Sequence, residues 1–311
     1  MDYGEVSSWY DGYLVSDSIP VAKRRLFREG GYSEHMMHVY NPLSVVKAMQ
    51  NGVIDNYWNK TETYEALAKY IRMDFDGLKP TVALLMDGGR VSVSLESCQN
   101  DMTTFHGRED VLALLVHLGY LGFEGEQDGG RVSSSAGEVF IPNREVLEEF
   151  KTSTRTPEWE GPLRAFERSK ELVRATWNRD AARVAELLEE AHDRAANKTF
   201  SDEAALSYAV RLAYYAAQLY YTEVVELDSG KGYADVAYLP TPVHPEVPAL
   251  VVELKYEKTA DTALEQIRRR DYPARLEHYR GNTLLVAVSY DREASSTDPA
   301  FKRHSCVIEE A

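Results

Sequence analysis

The sequence predicts an α/β fold over residues 197–311, behind an α+β half over residues 1–151. Three observations carry this. Apolar patterning in the later part runs helix, strand, strand, strand, helix, strand, the order of a compact α/β core. Two of those strands, ALVVELKY (249–256) and TLLVAV (283–288), are almost continuously apolar, as strands buried on both faces are. A polar segment with two prolines and a glycine, TSTRTPEWEGP (152–162), separates the halves. It reads as a linker, because proline cannot continue a helix and pushes its predecessor to extended geometry.

The elements follow in order. WYDGYLV (9–15) reads as a short strand. Asn41-Pro42 starts a helix with apolar Leu43, Val46 and Met49, and Gly52 is its stop. A second helix is expected over Thr61–Ile71, strands near 81–86 and 91–95, and an amphipathic helix over Glu109–Leu118. GYLGFEGE and GEVFIPN then form a hairpin, so residues 103–150 read as a winged-helix-like module. The hexapeptide DGGRVS occurs twice, at Asp87–Ser92 and Asp128–Ser133, and Asp-Gly-Gly is turn chemistry. Residues 163–196, rich in Ala, Glu, Arg and Leu, predict a helical connector of one or two helices. Ser201 caps a helix running to about Gln218, with Asp202 and Glu203 in its first turn. Strands follow at Tyr220–Leu227, Tyr233–Leu239 and Ala249–Tyr256, then a helix over Thr262–Asp271 and the strand Thr283–Val288.

Composition narrows the function. Asp and Glu number 50 against 35 Lys and Arg, a formal charge of −15, which argues against a protein held on nucleic acid by bulk charge but not against a local basic groove. Two cysteines, Cys98 and Cys306, exclude a disulfide scaffold and a four-cysteine zinc site. No signal-peptide pattern and no long apolar run is visible, so a cytoplasmic protein without a membrane span is expected. The eight histidines show no metal-binding spacing, His35 and His38 included.

The chemistry sits on two strands. In ALVVELKY, Val251, Glu253 and Lys255 share one face and Val252, Leu254 and Tyr256 the other. A carboxylate and an ammonium on an otherwise apolar strand are costly unless they pair or serve a site. Asp235 is the only charge in the preceding strand, GYADVAYL. If the two strands pair, Asp235 and Glu253 converge, and two carboxylates with a backbone carbonyl suit Mg²⁺ or Mn²⁺. A lysine beside them can orient water or stabilise charge on a phosphate. The bland alternative is an edge-strand ion pair.

GKGYADV (230–236) followed by LVVELKYEKTADTALEQIRRRDYPARL resembles the PD-(D/E)xK nuclease superfamily, and within it the branch fused behind AAA-ATPase-like domains in many bacterial genomes. The resemblance spans about 199–290 and rests on Asp235, Glu253, Lys255, Gln266, Ile267 and Tyr272. Tyr233 departs from it, standing where the family often has Arg. The resemblance implies a restriction-endonuclease-like domain, a mixed central sheet flanked by helices. It implies that Asp235, Glu253 and the Leu254 carbonyl bind the metal, that Lys255 is the catalytic lysine, and that Gln266 orients the site. Glu203 matches the first-helix acid, although an acid there also steadies the helix dipole. Arg268, Arg269 and Tyr272 are possible phosphate contacts, with a solvated helix face the alternative for the arginines. The first half resembles the C-terminal lid of the ATPase domain. No phosphate loop of the G-x-x-x-x-G-K-[S/T] type occurs, so no ATP is expected to bind and the lid is a remnant.

The expected function is metal-dependent hydrolysis of phosphodiester bonds in nucleic acid, DNA foremost. Apolar surface left on the remnant implies an ATPase partner or a homodimer. A catalytically silent nuclease-fold scaffold that docks a protein, and an enzyme acting on another phosphate ester, are the rivals.

Overall fold

The computed structural model describes residues 2–16, 36–57, 63–73, 75–94, 105–128, 131–194, 203–228, 233–256, 260, 265, 279, 281–291 and 303–311. The chain divides into two compact units, Met1–Glu160 and Gly161–Ala311.

The first unit contains helices α1 (Tyr3–Tyr10), α2 (Pro42–Asn51), α3 (Thr63–Ile71), α4 (Leu78–Met86), α5 (Arg108–His117) and α6 (Arg144–Ser153). Strands β1 (Tyr13–Ser16) and β2 (Met36–Val39) form an antiparallel pair. Strands β3 (Val91–Ser94), β4 (Gly122–Asp128) and β5 (Arg131–Phe140) form a sheet in the order β3-β5-β4. The expected strand at 9–15 is shorter than its sequence suggests. Trp9 and Tyr10 end α1, Asp11 is already extended, and the strand begins only after Gly12, whose φ is +139°. The strand expected near 81–86 is α4. Its apolar run TVALLM is buried almost throughout, and a short, uniformly apolar run does not distinguish a strand from a buried helix. Helix α5 is buried across Val111–Leu115 rather than along one stripe. The first DGGRVS copy closes α4 and leads into β3; the second joins β4 to β5.

Helix α2 has the predicted bounds, with the Asn41 side chain accepting from the Leu43 N–H and Gly52 left-handed at its end. Its orientation is the reverse of what its apolar residues suggest. Ser44 and Ala48 are buried, while Leu43, Val46 and Met49 are exposed, Met49 to 70%. The inward face is set by a carboxylate: Glu145 Oε1 on α6 accepts from Ser44 Oγ and from the Tyr57 N–H, each at 2.8 Å. Asn56 donates to Glu149, one helical turn on, so two buried acids tie the 53–57 segment and α2 to α6.

The second unit holds α7 (Pro157–Trp177, of which the last seventeen residues lie in it), α8 (Ala181–Arg194) and α9 (Glu203–Ala213), followed by a 3-10 turn at Tyr215–Leu219. The polar segment 152–162 is therefore mostly helical rather than extended: Pro157 occupies the first helical position, where its missing N–H costs nothing. Strands β6 (Tyr221–Asp228), β7 (Tyr233–Pro240), β8 (Ala249–Tyr256), β9 (Thr283–Tyr290) and β10 (His304–Glu310) form one sheet in the order β10-β9-β8-β7-β6. All neighbours are antiparallel except β8 and β9, so the sheet is mixed and flanked by helices, consistent with a restriction-endonuclease-like fold. The helix expected over 262–271 lies outside the described residues except for Glu265, which is helical. β10 was not expected from the sequence.

Helices α7, α8 and α9 cover one face of this sheet. Leu172, Val184, Leu188, Leu206 and Val210 pack on Val236, Leu250, Val252, Leu254, Val286 and Val288. This core takes the even-numbered side chains of β8 and leaves Val251, Glu253 and Lys255 on the opposite face, as the alternation predicts. β10 is clamped to α8 by Glu189. Its Oε2 accepts from the His304 ring at 2.6 Å and from the N–H groups of Arg303 and His304. Burial alone would push Glu189 up, but these donors hold it below the ordinary glutamate range.

Candidate active site

Glu253 and Lys255 occupy the face of β8 away from the helices, and both are buried, to 0% and 6% exposure. They are central in the sheet because β8 lies between β7 and β9. Lys255 Nζ donates to Glu253 Oε1 and to the Leu254 carbonyl oxygen, each at 3.0 Å. An acid and a lysine two residues apart share a face of the strand, so their heads meet without crossing the sheet. In low-dielectric surroundings such a pair holds together only with good geometry and further hydrogen bonds, and the carbonyl supplies one.

The register of β7 on β8 runs Tyr238↔Leu250, Ala237↔Val251, Val236↔Val252. The next position along each strand is Asp235 and Glu253, on the same face as Ala237 and Val251. The pairing expected of the two strands is present, in the antiparallel sense. On the other side of β7, the pairs Val225↔Val236 and Leu227↔Ala234 bracket Asp235 and set Glu226 opposite it. By backbone register alone, positions 226, 235 and 253 fall in line across β6, β7 and β8. Glu203 begins α9, at the position expected of it. Gln266, Arg268, Arg269 and Tyr272 lie outside the described residues.

Whether these residues suit a divalent cation can be judged from the donors themselves. Glu253 Oε1 and the Leu254 carbonyl oxygen already converge on one positive centre, the ammonium of Lys255, at equal distances. Two hard oxygens aimed at a common cation, with Asp235 next in register, fit Mg²⁺ or Mn²⁺. Among the described residues no set of three His, Cys, Asp or Glu side chains forms a metal cluster, so any such site uses the carbonyl or residues beyond them. The pair His38–Asp11, 2.8 Å apart in the first unit, is a surface contact and not part of one.

β8 thus carries an acid-x-Lys triplet at the centre of a mixed sheet, beside the antiparallel strand β7. Residues 205–297 match the family model described as the PD-(D/E)XK nuclease superfamily. The match spans α9 through β9 and includes Asp235, Glu253 and Lys255; Glu203 falls just before it. It points to a nuclease-type function for this unit. No curated protein and no solved structure matches the chain. No described helix is long and apolar enough to cross a membrane.

Proposed function

We propose that the second unit is a metal-dependent nuclease that hydrolyses phosphodiester bonds in nucleic acid, DNA foremost. The observation that carries this is the buried convergence of Glu253, the Leu254 carbonyl and Lys255 on β8, inside the matched region. Asp235, Glu253 and the Leu254 carbonyl would hold Mg²⁺ or Mn²⁺. When bound, the ion supplies Lewis-acid stabilisation of the phosphate and of the attacking water. Glu253 positions Lys255 through their 3.0 Å contact, and the ammonium neutralises charge that develops on the phosphate as water adds and the P–O ester bond breaks. Gln266 and Glu203 are proposed to orient groups around this centre, and Arg268, Arg269 and Tyr272 to touch flanking phosphates.

The test is cleavage of supercoiled plasmid, linear duplex, single-stranded DNA and RNA by the full chain, with Mg²⁺ or Mn²⁺, with EDTA, and with Lys255→Ala in parallel. Metal-dependent cleavage that Lys255→Ala abolishes supports the proposal. A folded protein that cleaves none of the four refutes it.

A second reading, a nuclease-fold scaffold that docks a protein such as an ATPase, draws support from α2. Its Leu43, Val46 and Met49, spaced three apart along the helix, are exposed apolar side chains, as on a helix made to meet a partner. Helix α5 followed by the β4–β5 hairpin supports the winged-helix-like module expected over 103–150 in the same half, and the acids Glu124, Glu126 and Glu138 on that hairpin suit a protein partner better than a phosphate backbone. Calorimetric titration with Mn²⁺ separates the readings: the scaffold binds no ion in a manner that depends on Asp235 and Glu253.

A further inference from the structure

The face of the sheet that carries Lys255 continues as a polar row across β9 and β10. In the parallel register of β8 and β9, Lys255 lies beside Ser289. In the antiparallel register of β9 and β10, Ser289 lies beside Ser305. The side chains at these three positions therefore share one face. One pair further in, Ala287 and Val307 continue the row of Glu253 as apolar neighbours, and one pair further out stand Asp291 and Arg303, whose backbones bond to each other. Ser289 Oγ and Ser305 Oγ are 2.8 Å apart, Ser289 being 4% exposed and Ser305 exposed.

Two hydroxyls in contact spend one proton on each other and keep one to donate, and a phosphate oxygen is an acceptor only. Adjacent strands are about 4.8 Å apart, so the hydroxyl pair sits one and two strand steps from Lys255, roughly 5 and 10 Å. The positive charge of Lys255 is already shared with Glu253. In a chain of net charge −15, neutral donors give a phosphate a contact that does not depend on bulk positive potential.

Resting on the nuclease reading above, we propose that Ser289 and Ser305 form a substrate subsite. Ser305, held by Ser289, donates a hydrogen bond to a non-bridging oxygen of a phosphate next to the scissile one, and the nucleic-acid strand leaves the centre across β9 toward the β10 edge. Ser305 is the contact residue and Ser289 is the positioning residue behind it. The subsite acts on binding, not on the bond-breaking step.

The test compares wild type, Ser305→Ala, Ser289→Ala and Ser305→Thr, each as the full chain, on whichever of the plasmid, duplex, single-stranded DNA or RNA substrates the wild type cleaves. Ser305→Ala and Ser289→Ala raise KM about three- to tenfold with kcat within twofold. Ser305→Thr, which keeps the hydroxyl, restores KM. In a Lys255→Ala background, fluorescence anisotropy with a labelled oligonucleotide of the same type shows the same weakening when Ser305→Ala is added, without any turnover. A hydroxyl pair that only ties two strands together predicts a lower melting temperature with KM and anisotropy unchanged, and that result overturns the subsite while leaving the nuclease reading intact. No metal-dependent cleavage by the wild type overturns both.

Discussion

Lys255→Met removes the ammonium and keeps the reach of the side chain. Glu253, wholly buried, loses its contact at 3.0 Å, and the Leu254 carbonyl loses a donor at the same distance. Removing one member of a buried ion pair costs about 3–5 kcal/mol. Glu253 has further interactions, so the lower end, about 3 kcal/mol, is expected. For a unit of this size each kcal/mol moves the melting temperature by about 2–4 °C, which predicts a fall of roughly 6–12 °C. Glu253→Gln combined with Lys255→Met removes the stranded charge as well and regains part of that loss. The assay is differential scanning calorimetry of the full chain in EDTA, repeated with Mn²⁺. Since the two oxygens that held the ammonium then face a free cation, Mn²⁺ raises the melting temperature of Lys255→Met more than that of the wild type. At a free concentration about a hundredfold above its dissociation constant, the ion returns about 2.7 kcal/mol. A Lys255→Met protein as stable as the wild type, or a double variant less stable than the single one, refutes the reasoning.

Other outcomes follow from the first unit. Burial pushes the Glu149 carboxyl above the ordinary glutamate range; the hydrogen bond from Asn56 opposes this and the nearby charge of Glu145 adds to it. A carboxyl whose value is raised by folding contributes stability that is fully present below its unfolded value and is lost as pH rises through its folded value. Glu149→Gln therefore stabilises the unit by about 1 kcal/mol near pH 7, since the buried Oε2 has no hydrogen-bond partner, and has no effect near pH 4; urea titrations at the two pH values check this. Gly12→Ala places a methyl group 1.6 Å from the Pro142 carbonyl oxygen at a φ that side chains avoid, and costs about 3 kcal/mol or more, visible as a lost or lowered thermal transition. Val46→Asp with Met49→Asp changes stability by no more than about 1 kcal/mol because both side chains are exposed, and lowers any self-association seen by sedimentation velocity; a large loss of stability shows instead that the row is packed.

Much of the second unit was legible in the sequence because its signals are local. β9 announces itself as an apolar run and β8 as an apolar strand broken only by its charged pair, and the alternation within ALVVELKY alone places Glu253 and Lys255 on one face, where they are found in contact. The α2 boundaries were equally local, fixed by the Asn41 cap and by Gly52. Other features were written in no single segment. TVALLM is buried on all sides, so its composition carries no period, and its neighbours decided for a helix. The inward face of α2 is chosen by Glu145, a hundred residues away, against the helix's own apolar row. β10 has no run of its own; it exists because β9 offers an edge and Glu189 on α8 caps its start.

Local patterning alone carries the chemical groups of the second unit: an acid-x-Lys strand and, before it, a strand with one acid, Asp235. Only the tertiary structure decided which groups stand together. Strand register sets Lys255, Ser289 and Ser305 in one row and stands β8 between an antiparallel and a parallel neighbour. The physical reason is that a side chain's face follows from alternation along its own strand, whereas its neighbour across the sheet follows from hydrogen bonds between segments that the sequence does not align.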